Sequence, residues 1–293
     1  MRVALITNED PHHKYWVSKL YKNKNVEIII HPKGKNKSII KKIISKKPLL
    51  HGKINFVLKV LSIMHSQVSS KGLSNSIRQS QKKYFAKYQN DYLKIPSSDI
   101  FHVETVNCDS TIRLLKNKGI KVVFFLGGEI VKKDFINQFK FCFNYHSGIS
   151  PYYNGNKTNF HAMSDGRPNF LGGTLMKMNE KIDGGEILMH YFCSINENDS
   201  SVELFKDWIC GSVKVYEKLL GKNNFKLKGV KQKRSFRYIR NIDWNIINDY
   251  KLDKFNKNCT SNKFLRNEKI IDYCNSNFDI EDVYSLSLKH ILQ

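Results

Sequence analysis

FCFNYHSGISPYYNGNKTNFHAMSDGRPNFLGGTLMKMNEKIDGGEIL, Phe141 to Leu188, is the stretch around which the chain is organised. Phe141 to His146 alternates like a strand, and side chains two apart on a strand share a face. Asn144 and His146 therefore point the same way. Phe141, Phe143 and Tyr145 take the other face, where a packed sheet places aromatic bulk. Gly148, Pro151 and the Asn154-Gly155 pair then punctuate an irregular loop able to wrap a ligand. The pattern predicts a short helix from Thr158 to Met163, closed by Asp165-Gly166, and a second strand from Gly172 to Met178. The turn Asp183-Gly184-Gly185 follows, so a carboxylate becomes available to meet the imidazole.

An amide, an imidazole and a carboxylate brought together suit acyl transfer to an amine. The tetrahedral intermediate of that reaction carries a negative oxygen, which a side-chain amide such as that of Asn144 stabilises. The amine must shed a proton. His146 has the reference pKa to take it near neutrality, with Asp183 fixing its tautomer and favouring its charged form. No Ser or Cys nucleophile is required, because the attacking group belongs to the substrate. Each signal alone is generic: Asn-x-His at a strand end is common, and Asp before Gly-Gly is an ordinary turn former.

The combination is more specific. Asn144-Tyr145-His146, then Pro151, Tyr153 and Gly155 in the loop, then GGTLMKMNEKIDGGEIL, resemble the signature of the folate-dependent formyltransferases, most of all the nucleotide-sugar N-formyltransferase group. The close match runs over residues 119 to 190. It implies a Rossmann-like, doubly wound, mostly parallel α/β sheet, and 10-formyltetrahydrofolate as co-substrate without a metal. The family's catalytic Asn, His and Asp carry over to Asn144, His146 and Asp183. By the same resemblance, folate is contacted by Gly127, Gly128, Glu129 and Ile130 and by Asn179, Glu180, Lys181 and Ile182. The acceptor is contacted by Ser147, Gly148, Tyr153, Asn154 and Lys157. One departure is visible: many relatives have Pro-Ser-Leu-Leu-Pro after the His, and this chain has Ser147-Gly148-Ile149-Ser150-Pro151.

With 293 residues, 41% of them hydrophobic, the chain is long enough for one large domain plus an appendage. The six cysteines (108, 142, 193, 210, 259, 274) show no Cys-x-x-Cys spacing, which favours free thiols in a reducing compartment. No signal peptide or membrane-spanning run is evident, so the expected location is the cytoplasm. The net charge is +23, from 49 Lys and Arg against 26 Asp and Glu. Between Glu27 and Asp91 there are 14 basic residues and no acid, and Lys222 to Asn241 holds 8 more. Such fields attract anions: a nucleotide, a polyglutamylated folate, RNA or an acidic membrane surface. A Lys-, Asn- and Ile-rich composition accounts for much of the excess without any partner.

Met1 to Asn8 reads as the first buried strand of an α/β sheet, Tyr15 to Lys22 as a helix and Val26 to Ile30 as a second strand. Asn8 to His13 is expected to be the loop between, leaving His12 and His13 solvated. No Gly-x-Gly-x-x-Gly follows the first strand, which disfavours a dinucleotide. Residues 33 to 95 look like a basic, mainly helical insertion relative to the short members of the family that the chain resembles. Ile39, Ile40, Ile43 and Ile44, and then Phe56, Val57, Val60, Leu61 and Met64, repeat at helical spacing. Those stripes are expected to pack on the core or on a second protomer of a homodimer, ahead of a bilayer surface. Arg78 to Tyr92 continues as a polar helix. Asp99 to Val103, Lys121 to Leu126 and Glu186 to Cys193 read as strands, and Asp109 to Lys118 and Ser200 to Leu220 as helices. Gly127-Gly128 lets backbone approach a flat heterocycle.

A catalytic domain over 1–220 and a small basic extension over 221–293 follow, the latter with Phe236 and Tyr238 among its basic residues. That pattern fits nucleobase stacking or an edge hairpin equally. The expected activity is formyl transfer to the primary amine of an amino-deoxysugar nucleotide, a step in making surface polysaccharide, with no stable nucleic-acid partner. The competing readings are a methionyl-tRNA formyltransferase, a formyltetrahydrofolate hydrolase, and a non-catalytic RNA- or membrane-binding adaptor on an inactive transferase fold.

Overall fold

Apolar runs with strand periodicity build the sheet. The computed structural model describes residues 1–33, 54, 57, 58, 60–62, 64, 71–222, 224–233, 235–258, 264–275 and 277–292. Its strands are β1 (Val3–Thr7), β2 (Val26–Pro32), β3 (Ile100–Val103), β4 (Val122–Leu126), β5 (Phe141–His146), β6 (Asn154–Gly155), β7 (Gly172–Lys177), β8 (Ile187–Phe192), β9 (Tyr238–Ile239) and β10 (Lys269–Asp272). Eight of them form one sheet in the order β10-β8-β7-β5-β4-β1-β2-β3. The pairings from β3 to β5 are parallel and those from β5 to β10 antiparallel. This is a Rossmann-like mixed sheet. β1, β4 and β8 are buried along their whole length, as strands covered on both faces must be.

The helices are α1 (Pro11–Leu20), α2 (Gly72–Ser80), α3 (Gln89–Leu93), α4 (Asp109–Asn117), α5 (Lys133–Ile136), α6 (Thr158–Ser164), α7 (Ser201–Leu220), α8 (Ile246–Lys257) and α9 (Ile280–Leu292). Alternate residues of the parallel strands feed two cores. Leu5, Phe124, Phe143 and Tyr145 join Trp16 of α1 and Trp208 and Tyr216 of α7, while Ala4, Ile6, Val123 and Phe125 join Leu115 of α4 and Phe135 of α5. α7 begins with a capping box, in which Ser200 Oγ accepts from Val202 N and the Glu203 carboxylate accepts from Ser200 N. Its Tyr216 hydroxyl donates to the Phe125 carbonyl at 2.6 Å and stands 3.2 Å from the Phe143 carbonyl, fastening the helix to β4 beside β5.

Three local expectations change. α1 starts at Pro11 and not Tyr15, because proline suits the first helical turn and has no N–H to lose there. The helix thereby carries His12 and His13 into the interior, where they are 9% and 6% exposed, not solvated. The helix expected over 78–92 is interrupted after α2 by a π-type turn, Gln81–Phe85, and a 3-10 turn, Ala86–Tyr88. The interruption turns Phe85 inward against Tyr15 and Phe205. Residues 225–233 and 235–240 form no hairpin but an extended arm, bridged at Val230 to Ile187 and paired as β9 with β6.

The stripe Ile39, Ile40, Ile43, Ile44 and the residue Phe56 lie outside the described residues. Val57, Leu61 and Met64 are 54%, 47% and 59% exposed and Val60 is half-buried, so of the two expected packings the one on the core is not seen for the exposed three. Among the described residues no helix is long and apolar enough to cross a membrane.

Candidate active site

The chain lays β1, β2 and β3 outward in one direction and then β4 and β5 in the other. At such a switch point the connections leaving adjacent strands diverge, and a crevice opens beyond the carboxyl ends. A cavity of about 440 Å³ lies there. Its walls are residues 125–131 from the end of β4 onward, 144–147 at the end of β5, 155–157 entering α6, and 176–183 with Gly185 from the end of β7 onward. His12 and His13 of α1, Asn159 and Phe160 of α6, and Phe205, Trp208 and Ile209 of α7 complete it.

Alternation along β5 puts Asn144 and His146 on the cavity, while the side chains of Phe143 and Tyr145 enter the core and Tyr145 also lines the cavity. Asn144 is half-buried and sits in register between Phe125 of β4 and Met176 of β7. His146 Nδ1 lies 3.4 Å from Asp183 Oδ1, with the two side chains 5% and 8% exposed. His146 Nε2 lies 2.9 Å from the carbonyl oxygen of Tyr153. A carbonyl only accepts, so Nε2 carries the hydrogen, and in the neutral ring the Nδ1 lone pair faces Asp183. The sequence points to Asp183 for fixing the tautomer; this hydrogen bond assigns that task to the Tyr153 carbonyl.

Asp183 is held from several sides. Its Oδ2 accepts from Gly155 N at 3.0 Å, and its backbone carbonyl accepts from Asn154 Nδ2 at 3.1 Å and Gln232 Nε2 at 3.0 Å. Gly155 has φ +103°, and a Cβ there would fall 2.0 Å from the Ile239 carbonyl oxygen, so only glycine lets β9 close on this loop.

Gly127, Gly128, Glu129 and Ile130 all line the cavity, as do Asn179, Glu180, Lys181 and Ile182. Gly127 has φ +68° and abuts the His13 ring, 2.9 Å from where a Cβ would stand. The Glu129 carboxylate turns away to accept from Thr105 Oγ1 (2.6 Å) and Val106 N (2.5 Å), leaving its backbone at the cavity. Lys133, at the start of α5, forms an exposed ion pair with Glu180 of the second loop at 2.9 Å. Of the expected acceptor contacts, Ser147 and Lys157 line the cavity. Gly148, Tyr153 and Asn154 lie behind its wall: Tyr153 is 3% and Asn154 4% exposed, and the Tyr153 hydroxyl donates to Asp165.

His13 and His12 belong to this wall, which the solvated-loop reading missed; the signal was Pro11 at a helix start. The Thr7 hydroxyl donates to the Leu126 carbonyl at 2.7 Å, so toward the neighbouring His13 Nδ1 it can only accept. Burial, reinforced by His31, pushes His13 down from 6.5 to about 3. Burial, then His13, holds His12 well below the usual histidine range. Asp10, His12 and His13 bring three possible metal-ligand atoms within 4.8 Å of one another, though Nδ1 of His12 is already met by Gln81 at 3.0 Å.

Buried neutral histidines make acid stability predictable. Burial also pushes His190 of β8 from 6.5 to about 3, with its Nε2 donating to the Ser150 carbonyl at 2.9 Å. Both folded values lie below the unfolded one, so the unfolded chain binds more protons in the interval. The stabilisation is complete above 6.5 and is lost as pH falls toward 3. Each group then costs on the order of 1.4 kcal/mol per pH unit. Denaturant melts run between pH about 7 and about 4 should show this loss, and a His190→Gln variant should show a shallower one. A flat profile for the parent chain would contradict the buried neutral state.

Residues 51–216 match the family model described as Formyl transferase. The chain is 35% identical over 80 residues to a methionyl-tRNA formyltransferase of Caldicellulosiruptor saccharolyticus, covering 27% of this chain and 25% of that protein. It is 28% identical over 166 residues to the bifunctional polymyxin resistance protein ArnA of Wigglesworthia glossinidia brevipalpis, covering 56% and 23%. It thus spans about a quarter of the length of these two curated relatives. Among solved structures it is similar to a 4-N formyltransferase from Francisella tularensis, at 13% identity and TM-score 0.51, covering 83% of this chain and 78% of that one. It is also similar to an N-formyltransferase from Helicobacter canadensis in complex with folinic acid and dTDP-3-aminofucose. There the identity is 18% and the TM-score 0.51, covering 87% and 81%. At these identities the likeness is one of fold.

Proposed function

The chain belongs to the formyl transferase family, whose model matches more than half of it, and from that premise we propose that it moves a formyl group from 10-formyltetrahydrofolate to the primary amine of a nucleotide-linked amino-deoxysugar. The observation that carries this reading is the convergence of Asn144, His146 and Asp183 on one cavity, with His146 and Asp183 3.4 Å apart. The cavity volume of about 440 Å³ lies within the range of small-ligand sites. The open backbone at Gly127 and Gly128 and the facing loop 179–182 suit a flat ring between them. The folate supplies an activated formyl carbonyl.

The roles we assign to the chain's own residues are supported by their positions. Asn144 donates its amide N–H to the carbonyl oxygen as negative charge builds there. His146, with Nε2 tied to Tyr153, takes the proton of the attacking amine on Nδ1, Asp183 stabilises the imidazolium so formed, and the proton passes on to the folate nitrogen as its bond to the formyl carbon breaks and tetrahydrofolate leaves. Ser147 and Lys157, on the cavity wall, are placed to meet the acceptor. The sugar nucleotide is preferred as acceptor because the fold is similar, over more than four-fifths of this chain, to a 4-N formyltransferase and to an N-formyltransferase solved with dTDP-3-aminofucose. A formamido sugar of surface polysaccharide would be the product.

The test is incubation with 10-formyltetrahydrofolate and a panel of nucleotide-linked amino sugars, with mass spectrometry of the sugar and absorbance of released tetrahydrofolate. A formylated sugar nucleotide is the expected result. Release without a formylated product would point to hydrolysis, and formylation of methionyl-tRNA alone would point to the activity named for the first of the curated relatives above.

A further inference from the structure

We propose that Gln232, in the arm that follows α7, is a positioning residue for the reaction: it acts through Asp183, holding that carboxylate against His146. The inference rests on the formyl-transfer reading for its kinetic consequences, and on geometry alone for its structural ones.

Asp183 has φ +51°, in the left-handed region that side-chain-bearing residues disfavour. Gly184 and Gly185 follow it and add no stiffness of their own. Within the turn Gly184 N donates to the Lys181 carbonyl at 3.2 Å and Asn179 Nδ2 to the Gly184 carbonyl at 3.0 Å, while the carbonyls of Asp183 and Gly185 are met from outside. Gln232 Nε2 lies 3.0 Å from the Asp183 carbonyl oxygen and 2.7 Å from that of Gly185. Two carbonyls facing one amide can be met only by its two N–H hydrogens, so chemistry fixes which end of the Gln232 amide points at the turn. Its Oε1 stands 3.5 Å from Asn154 Nδ2, which also donates to the Asp183 carbonyl.

The arm is itself pinned on both sides of Gln232. Before it, Val230 and Ile187 exchange two backbone hydrogen bonds, 2.8 and 2.9 Å long. After it, Asn154 N donates to the Arg237 carbonyl at 3.0 Å and Asn156 N to the Ile239 carbonyl at 2.8 Å. Gln232 is thus a donor presented from fixed backbone to a soft turn. If it is lost, Asp183 should drift from both His146 Nδ1 and Gly155 N.

The Gly155 amide reports on this directly, because it donates to Asp183 Oδ2 at 3.0 Å. In Gln232→Ala its hydrogen exchange should quicken by about tenfold while the Phe124 amide in β4 is unchanged. The kcat should fall about tenfold and KM by a factor of less than about three, and adding Gln232→Ala to Asp183→Ala should cost less than about twofold more. Gln232→Glu keeps the shape but sets a carboxylate oxygen against two carbonyls, and should be at least as impaired as the alanine variant. Unchanged exchange at Gly155, equal loss with and without the Asp183 carboxylate, or near-normal turnover in Gln232→Glu would each overturn the assignment. Should the parent chain transfer no formyl group while Gly155 still responds to Gln232→Ala, the activity is wrong and the tie between Gln232 and Asp183 is upheld.

Discussion

Asn144→Ala should lower kcat by about 10²–10³-fold, roughly 3 kcal/mol of lost charge stabilisation, with folate affinity changed by less than about threefold. The separation follows from where the groups sit. Asn144 is a half-buried residue of a central strand, held in register by Phe125 and Met176, and it faces the cavity near His146. The folate contacts we propose come from other elements, the loops at 127–130 and 179–182. Truncation to alanine leaves the backbone ladder of β5 intact and removes only a donor whose partner gains charge as the bond to nitrogen forms. Interactions that strengthen only in the transition state appear in kcat and not in ground-state binding. Single-turnover kinetics beside calorimetric titration with a non-transferring folate would measure both. Turnover within about threefold of the parent would remove Asn144 from the chemistry.

The parts of this site that are legible in the sequence are those encoded by local period and by chemistry-bearing side chains. The two-residue period of β5 places Asn144 and His146 on one face, and the glycines after β4 mark a loop that lines the cavity. The boundaries of β4, β5, β7 and α7 follow from apolar runs and a capping serine. Three features escape because nothing local encodes them. Tyr153 works through a carbonyl, which every residue has, so its type gives no hint of the bond to His146. Gln232 meets Asp183 across 49 positions of chain, and a polar residue in a basic run carries no mark of its partner. His12 and His13 read as loop because Pro11 suits a turn as well as a helix start, and only tertiary packing decides between them.

That decision matters beyond α1. A buried, neutral His13 supports Gly127, whose positive φ shapes the loop opposite residues 179–182, and its wall continues through Phe205 and Trp208 of α7. The helix start, the strand-end glycines and the long capped helix are separate signals in the sequence. The cavity exists only where the sheet's switch point brings them together.

His146→Asn should reduce kcat by about 10²–10⁴-fold, and adding an Asp183 substitution to it should cost less than about threefold more. The non-additivity follows from the proposed division of labour. If Asp183 acts by stabilising the imidazolium, it has nothing to act on once the ring is gone. The two single Asp183 variants should then differ from each other. In Asp183→Ala the carboxylate is lost but Nδ1 remains open, so the base is weakened and still present. In Asp183→Asn the new amide retains an oxygen for the Gly155 N–H and turns its NH₂ toward Nδ1, where the lone pair accepts a hydrogen bond 3.4 Å or less away. The basic nitrogen is then occupied, and the near-isosteric variant should be the slower of the two by about tenfold. A side chain valued only for its shape would give the reverse order, with alanine worse. Losses that multiply in the His146 and Asp183 double variant would instead mean that Asp183 contacts the acceptor amine by itself, independently of the imidazole.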